Sequence, residues 1–157
     1  MNNKVLHIAK VLVKSYKEEK FIGFTCPTEK EVKAKNNNFN ELSDALKQMN
    51  VSVLTINFDS AYSKKADLDL SGEFDGISYD IKKAENINDY DIVLINMLPI
   101  VGNEQLLIDN DIINSVIINA VYGDTSYKNF EKTMDALKES GMKTAGIISS
   151  KHRINRK

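Results

Sequence analysis

The stretch "TCPTEKEVKAK" (25–35) carries three lysines, Lys30, Lys33 and Lys35, between an apolar run and a helical stripe. Cations at a helix start attract anions, phosphate above all, because they add to the unpaired N–H groups of the first turn. A phosphate loop would also need glycines, whose backbone turns N–H groups inward at positive φ. The nearest glycine, Gly23, lies inside the preceding apolar run, so a solvated charge run is the favoured interpretation, with all three lysines expected in solvent. Asp59, Asp67 and Asp69 offer carboxylates for a cation, without the spacing and glycine of a calcium loop. Cys26 is a thiol with no histidine near it in sequence, which favours a packing role over a reactive one. His7 and His152 lie far apart with no second ligand at metal spacing. Tyr122 and Tyr127 flank a Gly-Asp-Thr-Ser turn and read as packing residues, with phosphorylation as the alternative. Leu98, Ile100 and Val101 form an apolar segment that either docks a partner or covers the end of a sheet.

The elements that must position these residues alternate along the chain. Val5, Ile8, Leu12 and Tyr16 recur at helical spacing and predict a leading helix over 4–18. "FIGFT" (21–25), "VSVLTIN" (51–57), "ISYDI" (77–81), "DIVLIN" (91–96), "SVIINAV" (115–121) and "TAGIIS" (144–149) predict strands. "YSKKADLDLSGEF" (62–74) reads as a loop. Phe39, Leu42, Leu46 and Met49 predict a helix capped by an asparagine of "NNN". Tyr127, Phe130, Met134 and Leu137 predict another, ending before Gly141. "DIVLIN" is a continuous apolar run with polar ends, as expected of a central parallel strand buried on both faces. The expectation is an α/β fold: a three-layer, mostly parallel sheet flanked by helices. One domain spans 1–157, with a leading helix (1–18), a core (19–150) and a basic tail (151–157).

Composition narrows the function classes. With 21 lysines and arginines against 22 aspartates and glutamates, the net charge of −1 provides no field for nucleic acid. No apolar run reaches membrane-spanning length, and a single cysteine fits a reducing compartment. A cytoplasmic protein is expected, with any membrane association peripheral and through a partner.

In a parallel sheet, function gathers where the strands end at their carboxyl side. There the order of blocks resembles the MinD/ParA-like P-loop ATPases, and most of all the bacterial tyrosine kinases (BY-kinases) of capsule and exopolysaccharide assembly. "TCPTEKEVKAK" stands where that family has a Ser-Pro turn and a Gly-Glu-Gly-Lys-Ser phosphate loop. "INFD" stands for Ile-Asp-x-Asp, and "YDIVLINMLP" for Tyr-Asp-x-x-Ile-Ile-Asp-x-x-Pro. "VYGDTSYKNFEKTMDALKESGMKTAGIIS" matches the closing strand, Gly-x-Thr-Ser turn, helix and strand. The resemblance implies a P-loop NTPase-like, Rossmann-like layout and a nucleotide site at Lys33, Asn57, Asp59 and Asn96.

The departures imply that this site is vestigial. With Lys33 on the family's lysine, Lys30 and Val32 occupy the two glycine positions. A valine held at positive φ costs about 1–2 kcal/mol. Ala34 replaces the hydroxyl that would hold Mg²⁺, while Asn57 and Asn96 replace acids. "HIAKVLV" lacks the family's Glu-x-x-Arg-x-x-Arg assembly pattern, and "SSKHRINRK" contains no tyrosine. The expectation is a non-catalytic regulatory or scaffolding protein with no catalytic residues, no metal and no cofactor. Its partner would be an active relative, a membrane polysaccharide adaptor or a second copy, bound through Leu98, Ile100 and Val101. The alternatives are a divergent tyrosine kinase or ATPase using ATP and magnesium, and an unrelated flavodoxin-like binding domain.

Overall fold

The computed structural model describes residues 2–81, 87–108, 110 and 112–151. The apolar runs pair as one sheet of six parallel strands: β1 (Phe21–Thr25), β2 (Val53–Asn57), β3 (Leu68–Asp69), β4 (Ile92–Asn96), β5 (Ser115–Tyr122) and β6 (Lys143–Lys151). Their order is β3-β2-β4-β1-β5-β6. Helices α1 (Asn3–Ser15), α2 (Val32–Gln48), α3 (Gln105–Ile108) and α4 (Tyr127–Glu139) cover the two faces. Successive strand residues point to opposite faces. Ile22, Phe24, Ile92, Leu94 and Ile117 therefore pack with Val5, Ile8 and Leu12 of α1 and Phe39, Leu42 and Leu46 of α2. Val93, Ile95, Val116 and Ile118 pack with Leu106 and Leu107 of α3 and Leu137 of α4. All five residues of β4 are buried: the apolar run Ile92–Ile95, as its sequence predicts, and the polar Asn96 at its end.

β4 lies between β1 and β2, so the first two long strands do not touch. A flavodoxin-like sheet places its first two strands side by side. That alternative is incompatible with this order.

Several local expectations change. "ISYDI" forms no strand; Tyr79 and Ile81 are buried because they fill the core beneath Phe58, rather than by pairing in the sheet. The strand that does form, β3, lies within "YSKKADLDLSGEF" and is only two residues long. Helix α2 starts at Val32, before the asparagines, and Asn36 and Asn38 are buried inside it. The leading helix ends at Ser15 and is capped by Asn2, whose side chain accepts from the Lys4 N–H at 2.8 Å. Gly141 has φ +75° beyond α4, the left-handed geometry expected of a helix stop. Gly23 has a packing role: a Cβ there would lie 2.5 Å from Met97 Sδ and 2.9 Å from Ile113 Cγ2.

Candidate functional site

Lys35, Phe39, Leu42 and Leu46 share one face of α2 at steps of four, three and four, so Lys35 points inward with the core residues. It is wholly buried. Its Nζ donates to Asp59 Oδ2 at 2.7 Å and to the Met97 carbonyl at 2.6 Å. Asp59 follows β2 and Met97 follows β4, and those strands pair directly with Asn57 opposite Asn96. The lysine thus crosses from the first turns of α2 to the ends of two central strands. The other Asp59 oxygen, Oδ1, accepts from the Ala61 N–H at 3.0 Å. A buried charge persists only when paired and hydrogen-bonded, and both charges here meet that requirement.

A neutral amide network adjoins the pair. Asn57 Oδ1 accepts from the Asp59 N–H at 3.1 Å and from Asn96 Nδ2 at 2.9 Å. Asn57 Nδ2 donates to the Asp59 carbonyl at 3.0 Å and to Asp69 Oδ1 at 3.1 Å. Asn96 Nδ2 also donates to Asn36 Oδ1 at 3.1 Å, while Asn96 Oδ1 is buried without a partner. The amide donors are what the surrounding oxygens require. Carboxylates at 57 and 96 would set oxygen against oxygen.

The connection from β1 to α2 closes on itself. Thr28 and Glu31 form a capping box: the Thr28 N–H donates to Glu31 Oε1 at 2.9 Å, and the Thr28 hydroxyl to Glu31 Oε2 at 2.9 Å. The Lys30 N–H is directed at Thr28 Oγ1, 3.3 Å away, and the Glu31 N–H at the Thr28 carbonyl, 3.2 Å away. These are the donors a phosphate loop would turn toward its ligand, and here the chain's own atoms accept them. Burial raises the Glu31 carboxyl above its usual range, against the lowering effect of the Thr28 hydrogen bonds. Cys26 is buried before this turn, and burial pushes its thiol up to about 12. The thiolate is the reactive form, so Cys26 should resist iodoacetamide at mildly alkaline pH in the folded protein and alkylate readily in denaturant. Rapid native alkylation, followed by mass spectrometry, would contradict that placement.

Of the residues expected at the site, Asn57, Asp59 and Asn96 come together. Lys33 does not join them: it is exposed, as is Lys30, and Lys35 takes the inward position. The expectation that all three lysines stay solvated is corrected for Lys35. Asp67 turns instead to Thr55, accepting from its N–H at 2.9 Å, and Asp69 accepts from the Ser71 hydroxyl at 2.7 Å. Among the described residues, no three histidines, cysteines or acids gather to hold a metal. His7 is exposed on α1, and His152 and the tail beyond it lie outside the described residues. Tyr122 and Tyr127 are exposed, at 79% and 80%, rather than packed.

The apolar segment after β4 turns mostly inward. Ile100 is 1% exposed and Met97 is fully buried, so Ile100 cannot belong to an exposed docking surface. The cause is backbone pairing: the Ile100 and Val101 N–H groups donate to the carbonyls of Cys26 and Pro27, both at 2.9 Å, folding the segment onto the sheet end. Leu98 and Val101 are half-buried. The residues that sequence reasoning missed are Lys35, Asn36 and Glu31. The spacing of Lys35 from Phe39 was the available signal.

A magnesium–nucleotide group does not fit these residues. Both Asp59 oxygens are engaged, one by an ammonium; residue 34 offers no hydroxyl; and the amides of Asn57 and Asn96 bring no charge to a hard cation.

Three solved structures share this arrangement of strands and helices. The BceF tyrosine kinase domain superposes with a TM-score of 0.64 at 15% identity, covering 94% of this chain and 74% of that one. The kinase domain of the Escherichia coli tyrosine kinase ETK gives 0.64 at 15%, with 97% and 78% covered. The VpsO kinase domain gives 0.62 at 14%, with 95% and 96% covered. The chain has the fold of bacterial tyrosine kinase domains. No protein-family model matches the sequence, and no curated protein matches it. The likeness therefore lies in the fold, and the kinase-like sheet carries the Lys35–Asp59 pair where its strands end. Among the described residues, no helix of this kinase-like domain is long and apolar enough to cross a membrane.

Proposed function

We propose that this chain is a kinase-like domain without catalysis, a regulatory or scaffolding component of capsule or exopolysaccharide assembly. It acts by binding an active tyrosine kinase or a membrane adaptor of that machinery. One observation carries the reading: the buried Lys35 ammonium lies on Asp59, the acid that a magnesium–nucleotide complex would need. Phosphoryl transfer depends on positioned cations and acids around the phosphates. Here an internal cation holds the one remaining acid, and Glu31 caps the turn that would cradle the phosphates. The second reading is a divergent ATP-dependent tyrosine kinase or ATPase, favoured by the likeness in fold to three kinase domains. Incubation with labelled ATP and magnesium separates the two. No phosphotyrosine and no released phosphate are expected, alone or with a tyrosine-rich peptide. Phosphotyrosine at Tyr122 or Tyr127, formed by the purified chain itself, would favour the second reading.

A further inference from the structure

A groove of about 690 Å³ runs between α3 and the C-terminal half of α4, apart from the Lys35 site. Pockets of this size take a ligand group or several side chains of a partner. Its apolar lining is Val101, Ala136 and Ile108, and Ile108 is 76% exposed, the most exposed aliphatic side chain among the described residues. Among the described residues, Glu104 lines it from the α3 side and Asp135 and Glu139 from α4, against one cation, Lys132.

On α4, Asp135 and Glu139 repel each other, while Lys132 and Lys138 stand three residues to either side of Asp135. Asp135 and Glu139 stand four residues apart, a like-charge spacing that costs about 0.2–0.5 kcal/mol. Both lie toward the C-terminal end, where the helix dipole disfavours negative charge. Neither has an ion-pair partner among the described residues. An exposed isoleucine inside a rim with two more acids than bases suits an occupant that is apolar on one side and cationic on the other. The chain's net charge of −1 provides no general attraction for such an occupant, so the attraction is local.

We infer that the α3–α4 groove docks a cationic amphipathic segment of a protein partner, with an aliphatic anchor against Ile108 and lysine or arginine side chains on Asp135 and Glu139. This rests on the partner-binding reading above and names the partner's chemistry. It also moves the docking surface away from the buried Ile100, keeping Val101. The probe is a fluorescein-labelled amphipathic peptide built of leucine and lysine, titrated against the whole chain by anisotropy. Saturable one-to-one binding that weakens with salt is expected. Ile108→Asp and the pair Asp135→Lys, Glu139→Lys should each weaken it about tenfold or more while circular dichroism stays unchanged, because all three positions are exposed. Asp44→Lys, on exposed surface of α2 across the sheet, should leave affinity as it was. A peptide of the same composition with its amphipathic order scrambled should bind no better than the reversed-charge variant. Absent saturation, unchanged affinity in the groove variants, or equal loss in Asp44→Lys would each overturn the inference. None of these results bears on whether nucleotide binds at Lys35, so the two readings can fail separately.

Discussion

Lys35→Met is expected to destabilise the fold by about 3–5 kcal/mol, the usual consequence of removing one partner of a buried ion pair. The loss arises because Asp59 Oδ2 and the Met97 carbonyl remain buried after the ammonium that satisfied them has gone. Asp59→Asn should also destabilise, since it leaves a buried ammonium without its counter-charge. Lys35→Met combined with Asp59→Asn removes both charges and should recover most of the loss, because neither unpaired charge is then left in the interior. Equilibrium urea denaturation of the four proteins closes this cycle. Purely additive losses would mean that the two side chains do not depend on each other, against the geometry.

The second large effect concerns nucleotide affinity. Lys30→Gly, Val32→Gly, Ala34→Ser and Asn96→Asp together would rebuild the glycine loop, the hydroxyl and one acid. With Lys35 in place, these four changes are expected to gain little, because its ammonium still holds Asp59. Adding Lys35→Thr should improve Mg-ATP affinity by about tenfold or more over the four-change variant, or about 1.4 kcal/mol. Asn96→Asp itself has a cost, since it replaces the donor to Asn36 and Asn57 by an oxygen, about 1–3 kcal/mol for buried groups left unpaired. Each variant must therefore be shown to fold before titration. Equal affinity with and without Lys35 would remove this lysine from the explanation.

Much of the sheet is visible in the residues themselves. "DIVLIN" reads as a strand buried on both faces, because its four inner positions, Ile92–Ile95, are all apolar and the run is too short for a buried helix. The α2 stripe and the Gly141 stop are equally direct. β3 is not legible, since two residues carry no periodicity, and its place is set by backbone pairing with Ile56 and Asn57. "ISYDI" misleads in the opposite direction: alternation there reflects Tyr79 and Ile81 filling the core from an irregular segment. Lys35 was hidden by its charge. A lysine among lysines reads as solvated, although it extends the buried stripe of Phe39 and Leu42 by one turn toward the N-terminus. Ile100 was misjudged because an apolar residue in a loop looks exposed until the hydrogen bonds folding that loop inward are known.

That the chain's own charges engage the strand-end site, and nucleotide does not, is tested most directly by calorimetric titration of the unmodified protein with ATP and magnesium. The expected trace shows dilution heats alone up to millimolar nucleotide, for ADP as for ATP. Saturable binding of one Mg-ATP per chain at micromolar concentration would contradict the account, because it would require Asp59 to leave Lys35 or the phosphates to bind without it.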